Sequence, residues 1–454
     1  MKPFFLIGFI FSLDNYIVLF KIKPNLSTHQ SIQNYENTMT RTLQYFSPQS
    51  FITEKIKNGY IAKIDEKTVQ KIKNDADVAI VEKDSIVKTA DYKYYDFYIT
   101  PEFKNEKKSN INKKTLAVQE RAPWGLSRIL GKQYLRSRKY IYPEDAGKDV
   151  EAFIIDTGID VLHPDFRGRA RWGANFVLNS PNYDENGHGT HVAGVVGGHR
   201  YGISKQVSLV AVKVLDLNGV GMISSILKGV DYVIEEHEKK RDLLYDIATA
   251  SYLGMKKTPN LEKSLESFIN NSELQPKTVV NMSVGGVKSS ALNFAVDYAT
   301  SLGIHFAVAA GNDQENACSY SPGSSKHAFT VGASDKYDRT ADFSNFGQCV
   351  DVYAPGVDIL SAWKNGRSTL ASGTSMACPH VTGVMVLYLG QKRYSPEELK
   401  KKILQDTKHV VVNQMKEKSY IEALWPLNWF NKQEKLPLVS TNKFIKNIIE
   451  ENNK

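Results

Sequence analysis

Three short stretches carry residue types that together could cleave an acyl bond. Ser375 stands in Ser372-Gly373-Thr374-Ser375-Met376-Ala377-Cys378-Pro379-His380, a glycine-containing turn that runs into the apolar stretch 381–389. Pro379 fits the first turn of the helix this predicts, where a missing N–H is harmless. A serine beside a helix N-terminus faces unpaired N–H groups and the positive end of the dipole, which suit a developing anion. Its hydroxyl is a poor nucleophile until a base takes its proton. Asn186-Gly187-His188-Gly189-Thr190-His191 offers that base, in a glycine loop turning into a helix that starts with a histidine. Phe153-Ile154-Ile155-Asp156-Thr157-Gly158 reads as a buried strand ending in an acid. The acid can fix the imidazole's tautomer and stabilise its charged form. Singly, each residue has a plainer reading: a turn-capping Asp, a structural His, a Ser at a helix N-cap. Their coincidence in one chain argues for chemistry. His191, three residues after His188, would suggest a metal pair, but no HExxH-like signature accompanies it.

Such residues need a scaffold that holds them within hydrogen-bond reach. From 149 onward, short apolar strands (152–155, 208–215, 278–282, 304–309) alternate with helices (188–197, 221–236, 289–302, 378–389). That alternation predicts a parallel sheet with helices on both faces. In such sheets active residues collect at the carboxyl ends of strands. Asp156, Ser283 and Asn312 each fall at such an end.

The three stretches resemble the signatures of the subtilisin-like serine proteases, closest to the proteinase K branch of that family. The likeness runs from about 122 to 408 and takes in Ile304-His305-Phe306-Ala307-Val308-Ala309-Ala310-Gly311-Asn312. It implies an α/β fold, a three-layer αβα arrangement with a central mostly parallel sheet, preceded by a small ferredoxin-like α+β propeptide domain. It implies a serine endopeptidase that works through an acyl-enzyme, made as a self-inhibited precursor and activated by removal of the propeptide. Asp156, His188 and Ser375 would be the triad and His191 structural. Asn312 would be the oxyanion donor, with the Ser375 N–H as the second. Gly219, Val220 and Gly221, with Ser283, Val284 and Gly285, would pair with an extended peptide, the glycines letting another backbone come close. Met222 and Ile223 would wall an apolar pocket. No Asp or Glu is placed to read a basic side chain, so a broad apolar or aromatic preference is expected.

Three cysteines leave one over if two pair, and reduced core cysteines are the other reading. The resemblance pairs Cys318 with Cys349 and leaves Cys378 buried and free. It also gives Asp351 as a calcium ligand, with backbone carbonyls near Ala328. Catalysis itself is expected to need no cofactor; structural calcium is the one candidate.

The 454 residues are 42% hydrophobic and 24% charged, which suits one large core plus a smaller domain and excludes a disordered chain. The net charge of +9 resides largely in lysines of 104–114 and of the C-terminal tail. Those tracts read as solvated linker and tail, so no nucleic acid is expected as partner. Residues 1–14 hold one lysine and about ten apolar residues, as a signal peptide does; a buried strand is the alternative. No run is long enough for a membrane anchor. Residues 15–90 form the inhibitor module, in β-α-β-β-α-β order with closing strands at 78–82 and 86–87, and 91–118 an exposed linker. The main domain covers 119–425, with a surface insertion at 237–277 that includes a sequon at Asn270, and 426–454 is a polar, loosely attached tail. Processing is expected near Ala90, near Gln119, or at both. The expected partners are protein or peptide substrates and the chain's own propeptide, and a monomer is expected. The expected location is secreted, or alternatively vacuolar or another secretory-pathway compartment. A rival reading, a binding protein on the same scaffold, would lack a triad or oxyanion residue, and all four are present.

Overall fold

A computed structural model of the chain describes residues 13–23, 28–91, 93–94, 107–109, 116–255, 275–412 and 435–452. Residues 1–12 of the expected signal segment, most of the linker and the sequon at Asn270 lie outside the described residues. The centre is a nine-stranded sheet. Its spatial order is Ala170–Asn175, Ser208–Lys213, Glu151–Asp156, Thr278–Met282, His305–Ala309, Phe329–Ser334, Val352–Pro355, Lys435–Leu438 and Lys408–Val412. Only the last pair is antiparallel. Successive strand residues point to opposite faces. Ala152 and Ile154 therefore join one apolar cluster, and Phe153 and Ile155 the other. Helices His188–Gly197 and Thr374–Gln391 cover the first face; Ile223–Met255 and Ser290–Ser301 cover the second. Burial on both faces explains why these strands read as apolar runs rather than alternating ones.

Several elements depart from the sequence reading. The helix expected over 221–236 continues without a break through Met255, so the first half of the expected insertion is helical extension. The helix that carries Ser375 begins at Thr374, which puts Pro379 inside it rather than in its first turn. The N–H that Pro379 lacks would have bonded the Ser375 carbonyl. The Ser283 hydroxyl donates to that carbonyl instead, at 3.0 Å. The described part of the C-terminal tail, 435–452, is not loose: Lys435–Leu438 joins the main sheet, and helix Asn442–Asn452 sinks Phe444, Ile445 and Ile448 into the core.

The N-terminal module has the expected β-α-β-β-α-β order, completed by strand Phe51–Ile56, which lies at the edge of its antiparallel sheet. One face packs Val18, Tyr60, Ile64, Val69 and Ile72 together under its helices. The other face, with Ile17, Leu19 and Ile61, shares a cluster with Ile226, Val230 and Leu292 of the main domain. The segment Ile86–Thr89 is not a closing strand of this sheet. It leaves the module and pairs between Val220–Met222 and Val284–Val287 of the main domain.

Candidate active site

Asp156 ends its strand fully buried, and the fully buried His188 opens the helix beside it. The His188 Nδ1 lies 2.6 Å from Asp156 Oδ1, and the Thr157 N–H holds the same oxygen at 2.7 Å. Gly187, before His188, has φ +109°, and a Cβ there would lie 2.5 Å from the Trp363 ring, so only glycine fits. The buried Asp184 ties the loop together. Its Oδ1 accepts from Gly187 N and Thr157 Oγ1, and its Oδ2 from Thr190 N and Thr190 Oγ1. Asp184 escaped the sequence reading; its place four residues before His188 was the available signal.

Ser375 occupies the second position of its helix and donates from Oγ to the Ser283 carbonyl at 2.9 Å. The Nε2 of His188 lies 2.7 Å from Asp91 Oδ1. Burial alone would lower the imidazole's pKa, but the Asp156 and Asp91 carboxylates outweigh it and hold His188 well above its ordinary value. The neighbouring His191 has no such partners: its Nε2 meets the Ile359 and Thr369 carbonyls, and burial pushes it down to about 3. Those two contacts tie its ring to strands Ile359–Trp363 and Arg367–Ser372.

The residue between Thr89 and Asp91 meets this centre with its carbonyl. The Ala90 oxygen accepts from Asn312 Nδ2 at 2.5 Å and from the Ser375 N–H at 3.1 Å. Asn312 is oriented by Thr374, whose N–H and Oγ1 both donate to its Oδ1 at 2.9 Å. On one side Ala90 N donates to Ser283 O at 3.1 Å; on the other Thr89 N donates to Gly219 O at 2.9 Å. Lys88 faces Val220 and Gly285, and Val87 faces Gly221. Every residue expected to bind an extended peptide is thus on this ladder. A Cβ on Gly221 would meet the Val214 carbonyl at 2.4 Å, so there the close approach is to the scaffold rather than to the bound strand.

Val87 is buried against the cluster that holds Leu215, Ile223 and Val284. A cavity of about 450 Å³ opens beside Ala90, lined among others by Gly285, Ala309, Gly311 and Tyr320. Asp313 also lines it, a carboxylate the sequence reading did not place there. Beyond Asp91, Lys93–Tyr94 pairs with Ala371 and Ser372, and Lys107–Ser109 pairs with Leu116–Gln119, so these parts of the expected exposed linker are held as strands. Two module carboxylates cap main-domain helices. Glu82 Oε2 accepts from Ser290 N at 2.8 Å, and Asp84 accepts from Ser224 N at 3.0 Å and Ser224 Oγ at 2.6 Å.

Cys318 and Cys349 are bonded, with Cα atoms 5.4 Å apart. Cys378 is free, and burial pushes its thiol up to about 12, which leaves it inert. Asp351 does not present an open ligand for a metal. Lys400 Nζ lies 2.8 Å from its Oδ2 and 2.7 Å from the Ala328 carbonyl, the two groups expected to hold calcium.

Residues 147–422 match the subtilase family, peptidase S8, and residues 15–90 match the peptidase inhibitor I9 family. A subtilisin-like proteinase of Encephalitozoon cuniculi is 41% identical, with 96% of each chain aligned. Cerevisin of Saccharomyces cerevisiae is 38% identical over 78% of this chain and 51% of its own length. The crystal structure of a cold-adapted subtilisin-like serine proteinase superposes with a TM-score of 0.54 at 34% identity, covering 70% of this chain and 98% of that one.

Proposed function

The chain belongs to the subtilase family of serine proteases, and from that premise we propose that Asp156, His188 and Ser375 are its catalytic triad. It is a serine-type endopeptidase made as a self-inhibited precursor. In this reading Ser375 Oγ attacks the substrate carbonyl while His188 Nε2 takes its proton. Asn312 Nδ2 and the Ser375 N–H hold the resulting oxyanion. Collapse expels the amine, which receives its proton from His188, and water then hydrolyses the acyl ester by the same route.

The observation that carries this reading is the Ala90 carbonyl between Asn312 Nδ2 and the Ser375 N–H, at 2.5 and 3.1 Å. It makes Ala90–Asp91 the first bond to be cut. Asp91 explains why the precursor waits: its carboxylate holds His188 Nε2, so the base cannot accept a proton from Ser375. Gln119 is a poorer site for the first cut, because it is buried in a strand that pairs with Tyr140–Pro143. After the cut, 15–90 leaves as inhibitor and 91–118 precedes the mature domain of 119 onward. The cavity beside Ala90 exceeds a methyl group, which favours larger apolar or aromatic side chains before the scissile bond, with Asp313 able to admit a basic one. The apolar segment at 1–14 and the Cys318–Cys349 bond together favour the secretory pathway, with secretion or a vacuole-like compartment as destination.

A serine-directed phosphonylating inhibitor tests the triad. It is expected to label Ser375 in the matured enzyme and abolish peptide hydrolysis. Unchanged hydrolysis by a Ser375→Ala chain would refute the assignment.

A further inference from the structure

A calcium ion between Asp351 and the carbonyls near Ala328 is what the resemblance implies, and the residues present do not fit one. Calcium takes six to eight oxygens at about 2.3–2.6 Å. Lys400 Nζ already stands 2.8 Å from Asp351 Oδ2 and 2.7 Å from the Ala328 oxygen. An ion touching both oxygens would fall where the ammonium is, against a like charge.

Both partners are fixed by the fold rather than by chance contact. Asp351 precedes strand Val352–Pro355, and its Oδ2 accepts from Thr330 N at 2.8 Å while its own N–H donates to Thr330 O at 3.0 Å. Lys400 sits on helix Pro396–Asp406, which opens with a capping box between Ser395 and Glu398. Its Nζ also lies 5.7 Å from the centre of the Phe329 ring, so the stem runs along an apolar surface towards the two oxygens. Four-fifths of each side chain is shielded from solvent, the accessible fractions being 22% and 21%. Screening by salt is accordingly weaker than for an open surface pair.

We propose that Lys400 is a built-in cation that takes the place of calcium at this position, tying helix Pro396–Asp406 to the two adjacent strands so that their stability does not depend on the ion. The chemistry is conserved in kind: a positive centre bridges a carboxylate and a main-chain carbonyl. It differs in being covalently attached, so it cannot be lost to dilution or to a chelator. A protease built this way keeps this corner folded where free calcium is scarce.

Thermal unfolding of the full chain tests this, in a Ser375→Ala background that prevents self-digestion. Excess EDTA and millimolar calcium chloride are the two conditions. The chain with Lys400 intact is expected to melt at the same temperature in both. Lys400→Ala is expected to melt several degrees lower in EDTA. Calcium is expected to restore it in a concentration-dependent way, because Asp351 and the Ala328 carbonyl are then open to an ion. Adding Asp351→Asn to Lys400→Ala is expected to remove the restoration. Lys400→Met keeps the stem over Phe329 and is measured alongside, against failure of the alanine variant to fold. The proposal is overturned if EDTA lowers the melting temperature of the Lys400 chain and Asp351→Asn removes that fall. It is equally overturned if calcium leaves both Lys400 variants unchanged.

Discussion

The four-stranded sheet of residues 14–83 and the nine-stranded sheet behind it differ in what covers their faces. The larger sheet is covered on both by helices of its own domain. The smaller has its own helices on one face only, and its second face, with Ile17, Leu19 and Ile61, is completed by the main domain. A sheet left with one apolar face bare loses the burial that stabilises it, at roughly 25 cal/mol per Å². The module is therefore a folded partner while docked and a weaker fold once released. The main domain loses far less on separation, since its sheet needs no help. That asymmetry suits an inhibitor meant to leave.

Four variants sharpen the contrast. In the main domain, Asn312→Ala removes one of the two donors to the carbonyl oxygen, and kcat is expected to fall about 10²- to 10³-fold. KM for a peptide substrate should stay nearly constant, and steady-state kinetics on the matured enzyme separates the two. Phe444→Ala opens a hole in the core beside Tyr388, whose ring centroid lies 4.7 Å away. It is expected to cost the mature enzyme about 3 kcal/mol, read by urea unfolding. Ile72→Ala, at a fully buried position of the module, should weaken the precursor and leave the mature enzyme's unfolding curve untouched. At the junction, Glu82→Gln with Asp84→Asn removes two carboxylates from helix N-termini. Each is worth about 0.3–1 kcal/mol, so latency after cleavage should shorten by roughly 3- to 30-fold.

The pH dependence of self-cleavage probes the contact where the two regions meet. His188 must be neutral to act as base, and the nearby carboxylates raise its pKa against the effect of burial. Self-cleavage of the precursor should therefore quicken as pH rises. Asp91→Asn removes one of those charges, lowers the His188 pKa and moves the rise to lower pH. Timed gels across a pH series would show it; an unmoved profile would mean that Asp91 does not govern the base.

The centre was legible in the sequence because its parts sit in local motifs. Asp156, His188, Asn312 and Ser375 each lie in a short glycine-containing stretch whose types and order suffice to nominate them. Partners separated along the chain were not legible. Nothing near Asp351 announces Lys400, and nothing near Asn312 announces Thr374, which orients it. Phe444, Ile445 and Ile448 repeat at helical spacing, but lysines and asparagines around them gave the segment the composition of a loose tail. Strand Phe51–Ile56 lies at a sheet edge with most residues exposed, so it has no buried alternation to read. The resemblance put a cut near Ala90, near Gln119, or at both; the preference for Ala90 rests on docking, which no local pattern records.

Mass spectrometry of purified precursor incubated alone tests the central claim most directly. The first product pair is expected to be cut between Ala90 and Asp91, and to be absent from a Ser375→Ala precursor treated alike. A first cut elsewhere would contradict the placement of that bond. The same cut appearing in the Ser375→Ala chain would contradict the nucleophile.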